Sequence, residues 1–256
     1  MTLGVETIPC LSDNYAFIVT SDTDASVMVV DVPEWDPLDQ ALKARGLIPS
    51  HVLLTHHHWD HVDGLADLKA AHPDVKVIGA NADMHRLPPL DIAVTEGEQI
   101  EFGGEKGEVI DVSGHTIGHI AVHFPASNAL FTADSLMALG CGRVFEGTKQ
   151  QMHESLQKLV GLPGDTIVYS GHEYTQSNAR FALTVDPENP ALISRAEEVE
   201  SARAQGRPTV PSTLAEELAT NPFLRAHDPA IRRHLGLEAA SDAEVFTEIR
   251  TRKDNF

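Results

Sequence analysis

The sequence predicts an α/β sandwich followed by an all-helical domain. Up to about residue 172, short runs of β-branched and aromatic residues alternate with segments of helical periodicity, and turn residues separate them. After residue 173 the periodicity is helical throughout. Of the 256 residues, 42% are hydrophobic and 22% are charged, as in ordinary globular proteins, so disordered and fibrous classes are excluded.

The α/β part is predicted from its strand-like runs and from the helical segments between them. The predicted strands cover residues 15–20, 26–32, 52–54, 75–78, 108–112, 119–124, 130–132 and 166–169. The predicted helices cover residues 37–45, 65–72 and 150–160. This alternation indicates mixed sheets that are covered by helices.

The C-terminal part is predicted to be helical over residues 176–184, 192–205, 213–220 and 242–250. Thr213 and Glu216 have the spacing of a capping box at the start of the third of these helices. Proline-rich linkers at 185–190 and 206–211 separate the helices. We therefore predict two domains, residues 1–172 and residues 173–256.

The charge balance restricts the classes of partner. Lys and Arg number 19 against 38 Asp and Glu, which gives a net charge of −19 and opposes binding to nucleic acids and to anionic membranes. An anionic substrate would therefore need a local cluster of cations. No segment has the pattern of a signal peptide or of a membrane span, and we expect a cytoplasmic monomer that acts on a small molecule. Cys10 and Cys141 are too few for a disulfide framework or a Cys-rich zinc site, and we expect both to be buried.

Histidines are unusually frequent, at 14, and several of them follow a predicted strand. The segment THHHWDH at 55–61 leaves the strand at 52–54, where loops of α/β proteins often carry function. In an extended segment His56 and His58 face the same side, whereas His57 faces away. After a turn, Asp60 and His61 are placed for a second ion. This density of ligand-type side chains favours a metal site over a solvated polar loop.

Later strand ends supply the further ligands that two ions need. His115, Asp134 and His172 each follow a predicted strand. A carboxylate has two oxygens, so Asp134 is predicted as the ligand that both ions share. One ion would then bind His56, His58 and His115, and the other Asp60, His61 and His172. We interpret His119 and His123 as sheet residues, and the following as surface residues: His51, His72, His85, His153, His227 and His234.

These motifs together resemble a known family. The HxHxDH signature with the later GH, AD and GHEY segments is similar to the metallo-β-lactamase superfamily. Within it the chain resembles the glyoxalase II family of hydroxyacylglutathione hydrolases, through LSDNY at 11–15, GHTIGH at 114–119, GHEYT at 171–175, VPSTLAE at 210–216, NPF at 221–223 and RKDNF at 252–256.

The resemblance implies an αββα sandwich with a C-terminal helical domain that binds glutathione. The implied reaction is hydrolysis of S-D-lactoylglutathione, and of other S-2-hydroxyacylglutathiones, to the hydroxy acid and glutathione, the second step of methylglyoxal detoxification. The implied cofactors are two divalent ions, with zinc as the first expectation and iron or manganese as alternatives. Such ions would supply an activated water for hydrolysis of the thioester, with Asp134 and Asp60 as the implied catalytic ligands, so neither cysteine would be needed as the nucleophile.

The resemblance also implies a set of substrate-binding residues. Arg250 and Lys253 lie on one face of the last helix, where the family holds the glycine carboxylate of glutathione. Arg143 stands where the family commonly has a basic residue, so the charge is kept. Phe145 stands where the family commonly has tyrosine, so the hydroxyl is absent. Tyr174 offers a hydroxyl for the peptide backbone of the substrate. Asp63 is a further departure from the family, which often has a small residue at this position. An additional carboxylate near the ions leaves the metal preference open.

Other functions share the metal motif. A lactonase or β-lactamase does not need the cations of the last helix, Arg250 and Lys253. An RNA-processing phosphodiesterase needs a basic face, which this acidic chain is not expected to have. A persulfide-oxidising enzyme with a single iron does not need seven ligands. A metal-binding or redox protein without hydrolytic activity is a further alternative. Di-iron redox relatives of this kind carry a flavin-binding domain, and this sequence shows no such domain. The thioesterase interpretation accounts for the most features.

Overall fold

A computed structural model describes residues 2–256. The chain forms two compact units. The first extends to Asp111 and includes Ile117–Thr132, and the second combines Val112–Thr116 with Ala133–Phe256. This division by contacts differs from the division of the sequence at 172/173, which stays a prediction.

A six-stranded sheet forms the centre of the first unit. Strands β1, β2 and β3 are antiparallel neighbours, and β4, β5 and β6 continue the sheet in parallel from β3. The strands are β1 (Leu3–Cys10), β2 (Asn14–Ser21), β3 (Val27–Val30), β4 (His51–Leu53), β5 (Lys76–Ala80) and β6 (Ile92–Val94). Parallel neighbours bring their C-terminal ends to one edge, which is the edge where THHHWDH begins.

Helices α1 (Trp35–Arg45), α2 (Trp59–Val62) and α3 (Leu65–Ala71) belong to the same unit. Leu38 and Leu42 of α1 and Leu68 of α3 are buried in one core with residues of the sheet. Helix α1 ends at Gly46, whose φ of 64° is left-handed and suits a residue without Cβ. The predicted helices at 37–45 and 65–72 are confirmed.

Four antiparallel strands complete the first unit. The strands are β7 (Gln99–Phe102), β8 (Glu105–Asp111), β9 (Ile120–Phe124) and β10 (Ala129–Ala133), each hydrogen-bonded to the next. The sequence analysis did not predict β1, β6 and β7. Strands β6 and β7 are short and mix exposed with buried positions, and most positions of β1 are partly or fully exposed.

The second unit is mostly helical. Its helices are α4 (Lys149–Val160), α5 (Thr175–Val185), α6 (Pro190–Ala204), α7 (Leu214–Thr220), α8 (Pro229–Leu235) and α9 (Asp242–Asp254). Its strands are β11 (Leu136–Met137), β12 (Gly140–Cys141), β13 (Ile167–Ser170) and β14 (Ser212–Thr213). The capping box of Thr213 and Glu216 is confirmed, whereas α8 was not predicted.

A buried carboxylate joins several segments of the second unit. Glu217 is fully buried in α7 and pairs with Arg195 of α6, with 2.5 Å between Oε1 and Nη2. The same carboxylate accepts hydrogen bonds from Leu139 N at 2.9 Å, Ser212 Oγ at 2.6 Å and Asn221 Nδ2 at 3.0 Å. Removal of the Glu217 carboxylate would break these four contacts at once, so this residue is a sensitive point of the fold.

We expect Glu217→Ala to lower the free energy of unfolding by about 3–5 kcal/mol, because it leaves the Arg195 guanidinium buried without its counter-ion. Urea denaturation at a fixed metal concentration measures the change. Glu197→Ala, which removes an exposed carboxylate from α6, is the control and should change stability by less than about 0.5 kcal/mol. Equal midpoints for the two variants would contradict the role of Glu217.

One further expectation from the sequence is met. Cys10 and Cys141 are both free and buried. Within residues 2–256 no helix has the length and apolar character needed to cross a membrane.

Candidate functional site

The first group of candidate ligands lies in the loop after β4. The Nε2 atom of His56 and the Nδ1 atom of His58 are 3.1 Å apart, as expected for side chains that share one side of an extended segment. His57 faces elsewhere, and its Nδ1 lies 2.8 Å from Oδ2 of buried Asp83. The predicted alternation of this segment is therefore confirmed.

Asp60 and His61 follow in α2. The short helix turns the chain after His58, so that Nε2 of His61 lies 3.9 Å from Oδ2 of Asp60. The amide N–H of Val32 donates to the carbonyl of His61 at 2.8 Å, which anchors the helix to the segment that follows β3. Trp59 between the ligands is exposed.

Sequence reasoning missed Asp31, which orients the histidine of α2. This buried carboxylate accepts hydrogen bonds from Nδ1 of His61 at 2.8 Å, and from the amide and hydroxyl of Thr55 at 2.9 and 2.8 Å. A histidine whose Nδ1–H is held in this way presents Nε2 as its ligand atom. An acid that directly follows the apolar strand β3 was the available signal.

The second unit holds the other three candidate ligands, all buried. Oδ2 of Asp134 lies 3.5 Å from Nε2 of His115 and 3.3 Å from Nε2 of His172. Within this unit Gly171 donates from its amide to the carbonyl of Ala133 at 3.0 Å, so the residues that directly precede His172 and Asp134 are hydrogen-bonded to each other. A carboxylate between two imidazoles is the arrangement expected of a shared ligand.

The same unit fixes the ring of His115. Its Nδ1 lies 2.7 Å from the carbonyl oxygen of Arg143, so Nε2 faces Asp134. The backbone passes very close to this point, because a Cβ on Gly142 would lie 1.9 Å from the carbonyl oxygen of Asp134. Only glycine fits there.

The donor set fits divalent metal ions. Imidazole nitrogen and carboxylate oxygen are ligands for zinc, iron and manganese. The second nitrogen of three of the rings is held by a hydroxyl, a carboxylate or a carbonyl, which is the usual support of a metal-ligating histidine. These rings are His56 on Thr55, His61 on Asp31 and His115 on Arg143. In the first unit, Asp31, His56 and His61 also bring three ligand atoms within 4.8 Å of one another.

Comparison with known proteins identifies the family. The model of the metallo-β-lactamase superfamily matches residues 11–172, and the model of the hydroxyacylglutathione hydrolase C-terminus matches residues 173–256. A hydroxyacylglutathione hydrolase of Ruegeria pomeroyi is 60% identical over 256 residues, which cover both chains completely. The chain belongs to the hydroxyacylglutathione hydrolase family. It is therefore a hydrolase, as predicted, and the alternative functions are not favoured.

Solved structures confirm the fold. The crystal structure of BLEG-1 B3 metallo-β-lactamase matches 86% of this chain and 99% of its own length, with a TM-score of 0.67 and 21% identity. The structure of TTHA1623 in a di-iron-bound form matches 86% of this chain and all of its own, with a TM-score of 0.61 and 25% identity. The predicted metallo-β-lactamase fold with a C-terminal helical region is thus confirmed for this member of the hydroxyacylglutathione hydrolase family.

Two of the three cations predicted to bind substrate, Arg143 and Arg250, contact Asp254 in the second unit. Asp254 accepts from Nε of Arg250 at 2.9 Å, and its other oxygen lies 3.4 Å from Nζ of Lys149. Nη2 of Arg143 donates to the backbone carbonyl of Asp254 at 3.3 Å. We call Arg143, Lys149, Arg250 and Lys253 the cationic cluster. Lys149 was not singled out in the sequence, because it is a lone lysine at the start of a helix.

The two predicted residues of α9 differ in their surroundings. Arg250 is buried above the ring of Phe223, and its Nη1 donates to the carbonyl of Cys141 at 2.9 Å. The Nζ of Lys253 is partly buried and lies 5.2 Å from the ring centres of both Phe181 and Phe256. Burial, with the nearby guanidinium of Arg250 as a second cause, lowers the pKa of Lys253 to about 8.

Aromatic residues line two of the candidate ligands. The ring of Tyr174 stacks on His172 at 4.6 Å, and Phe145 meets His115 edge-on at 5.3 Å. Both aromatic side chains are substantially exposed. They are therefore accessible to a bound molecule, as the predicted substrate role requires.

The structure corrects one expectation and refines another. The prediction that His153 is a surface residue is wrong: it is buried beside Phe246 at the contact of α4 with α9, and burial lowers its pKa. The helical period of α4 places it on the inner face. His119 and His123 are buried, as expected of sheet residues, and the ring of His119 also stacks on His56 at 4.6 Å.

We expect His57→Ala to retain the full metal content, because the His57 ring faces Asp83 and not the other two histidines of its loop. The loss of that contact should lower the free energy of unfolding by about 1–3 kcal/mol, since the buried carboxylate of Asp83 keeps only its bonds to Arg86. Elemental analysis and urea denaturation measure the two effects. Loss of one metal ion in His57→Ala would show that the ligand assignment within this loop is wrong.

Proposed function

We propose that this chain hydrolyses S-D-lactoylglutathione, and related S-2-hydroxyacylglutathiones, to the hydroxy acid and glutathione. The observation that carries the proposal is the cationic cluster, which three separated segments assemble in a chain of net charge −19. Glutathione carries two carboxylates, and charge-assisted hydrogen bonds recognise such groups. The name of the Ruegeria pomeroyi relative supports the same substrate class.

We propose two divalent ions as the cofactors. One would be held by His56, His58 and His115, the other by Asp60, His61 and His172, with Asp134 as the shared ligand. The distances from Asp134 to the imidazoles of His115 and His172 support the shared role. When bound, the ions supply an activated water and polarise the thioester carbonyl. Zinc is our first assignment, and the di-iron form of TTHA1623 supports iron as an alternative to it, beside manganese.

The protein side chains bind the substrate and hold the ligands in place. Arg143, Arg250 and Lys253 would bind the carboxylate of the glycine end of glutathione, and the Tyr174 hydroxyl would hydrogen-bond its peptide backbone. Phe145 would offer an apolar surface beside His115. This arrangement fixes the thioester relative to the ligands through contacts remote from the bond that breaks.

The cysteines do not act as nucleophiles in this proposal. Burial raises the pKa of Cys10 to about 12 and that of Cys141 to about 11, so both remain protonated at neutral pH. The leaving group needs no acid, because a thiol has a pKa near 8.5 and departs readily as the thiolate. We also propose a cytoplasmic location, which the two free thiols support. The monomeric state stays a prediction.

We expect the wild-type enzyme to hold two metal ions per chain and Asp134→Ala to hold fewer and to lose turnover, because the variant removes the shared ligand. Elemental analysis after dialysis gives the metal content, and release of free thiol gives the rate. Glu238→Ala removes an exposed carboxylate of the same unit and should leave both unchanged. Full metal content and activity in Asp134→Ala would remove this residue from the site.

We expect Lys253→Glu to raise KM for S-D-lactoylglutathione by about ten- to a hundredfold, because a charge-assisted contact to a carboxylate is worth about 1.5–3 kcal/mol. The value of kcat should fall much less, because the contact is far from the thioester and is equal in the ground and transition states. Steady-state kinetics at two salt concentrations measure both, and raised ionic strength should weaken wild-type binding more than that of the variant.

A matched control and a pH series sharpen this measurement. Arg252→Glu makes the same charge change at an exposed position of α9 and should leave KM nearly unaltered. Lys253 is charged below its pKa of about 8, so the wild-type kcat/KM should fall as the pH rises through that value, and Lys253→Arg should lose this dependence. An unchanged KM in Lys253→Glu, with the fold intact, would refute the substrate role of this residue.

A further inference from the structure

The segment LSDNY at 11–15 has no task in the function proposed above, although it contains a buried polar side chain. Asn14 is the first residue of β2 and pairs with Cys10 across the turn that joins β1 to β2. Only 4% of Asn14 is exposed. A buried amide is unfavourable unless its donors and acceptors have partners, so the contacts of Asn14 show what it does.

The amide of Asn14 is directed at one residue of the ligand-bearing helix. Its Nδ2 atom lies 2.9 Å from the backbone carbonyl oxygen of Asp60 and 3.2 Å from Oδ2 of the same residue. An amide nitrogen carries two hydrogens, so one can serve each acceptor. Both the backbone and the carboxylate of Asp60 are thereby held by a side chain 46 residues away.

The resulting position of the Asp60 carboxylate suits a metal ligand. Metal–ligand distances to imidazole and carboxylate are about 2.0–2.2 Å, so two ligands of one ion lie at most about 4.4 Å apart. The 3.9 Å between Oδ2 of Asp60 and Nε2 of His61 is within this limit. A neutral amide also leaves the carboxylate its full negative charge, whereas a Lys or Arg donor would place a second cation next to the ion.

We propose that Asn14 is a positioning residue that holds the carboxylate of Asp60 in place for the ion that Asp60 shares with His61. The proposal rests on the metal centre of the proposed function. The contact parallels that of Asp31 with His61. Each of the two ligands in α2 is therefore held by a side chain distant in sequence: Asp60 by Asn14 of β2, and His61 by Asp31, which follows β3. The proposal assigns LSDNY a role in binding the metal as well as in forming a turn.

The test is metal binding by Asn14→Leu, in which the side chain keeps the same branched arrangement of heavy atoms but has no donor. Metal-free protein is titrated with Zn²⁺ against a competing chelator. We expect one of the two ions to be bound about ten- to a hundredfold more weakly than in the wild type, and the other to be nearly unaffected. The rise in Tm that metal produces should be smaller in the variant, since that rise reports binding to the folded state.

Controls separate positioning from a purely structural role. Ser12→Ala changes an exposed residue of the same turn and should bind both ions as the wild type does. If Asn14→Leu binds both ions normally and only the Tm of the metal-free protein falls, Asn14 is a structural tether and the proposal is wrong. Equal weakening of both ions would also overturn it, because that result would indicate general damage to the site.

Two further results keep the test decisive. If Asn14→Leu does not fold, Asn14→Ser, which is smaller and lacks the amide, is measured in the same way and must show the same selective loss. If the wild type binds a single ion, the binuclear centre of the proposed function fails independently of Asn14. A failure of the thioesterase assay alone leaves the metal titration unaffected.

Discussion

The buried carboxylate of Asp31 is the contact on which the metal ligands of the first unit depend. An ionised carboxylate in a protein interior is strongly unfavourable unless several donors surround it. Here the donors are the amide and hydroxyl of Thr55 and the ring of His61. They come from the end of β4 and from α2, while Asp31 itself continues the ladder through its amide bond to Leu53 O at 2.9 Å. The pairing of β3 with β4 therefore places Asp31 where it holds the His61 ring.

The cationic cluster addresses the electrostatic difficulty that the composition creates. A chain of net charge −19 repels an anionic substrate at long range, but salt screens exposed charges beyond about 8 Å. At contact distance the local charges dominate, and partial burial strengthens them because the effective dielectric constant is lower. Asp254 keeps the guanidinium of Arg250 and the ammonium of Lys149 together against their mutual repulsion. The cluster has more cations than the single carboxylate neutralises.

The sequence predicted local relations well and distant partners poorly. The alternation of His56, His57 and His58 follows from the geometry of an extended chain, and the capping box at Thr213 from spacing alone, so both were accessible. Asn14, Asp31 and Asp83 were missed as supporting residues because each acts across 24 or more residues, where spacing carries no information. His153 was misjudged because its burial depends on the packing of α9 against α4, which no local pattern specifies.

Helix α9 shows how folding prepares a cation for a carboxylate. A capping box of Ser241 and Glu244 fixes the start of the helix, and its period then places Arg250 and Lys253 on one face. Two aromatic rings and the Ser177 segment of α5 surround Lys253, which loses much of its hydration when the protein folds. Its pKa of about 8 reflects that loss, yet the group remains charged at neutral pH. Because the ammonium is already desolvated, a carboxylate that binds it does so with less of the usual dehydration penalty, and the interaction is stronger than an equivalent contact at an exposed lysine.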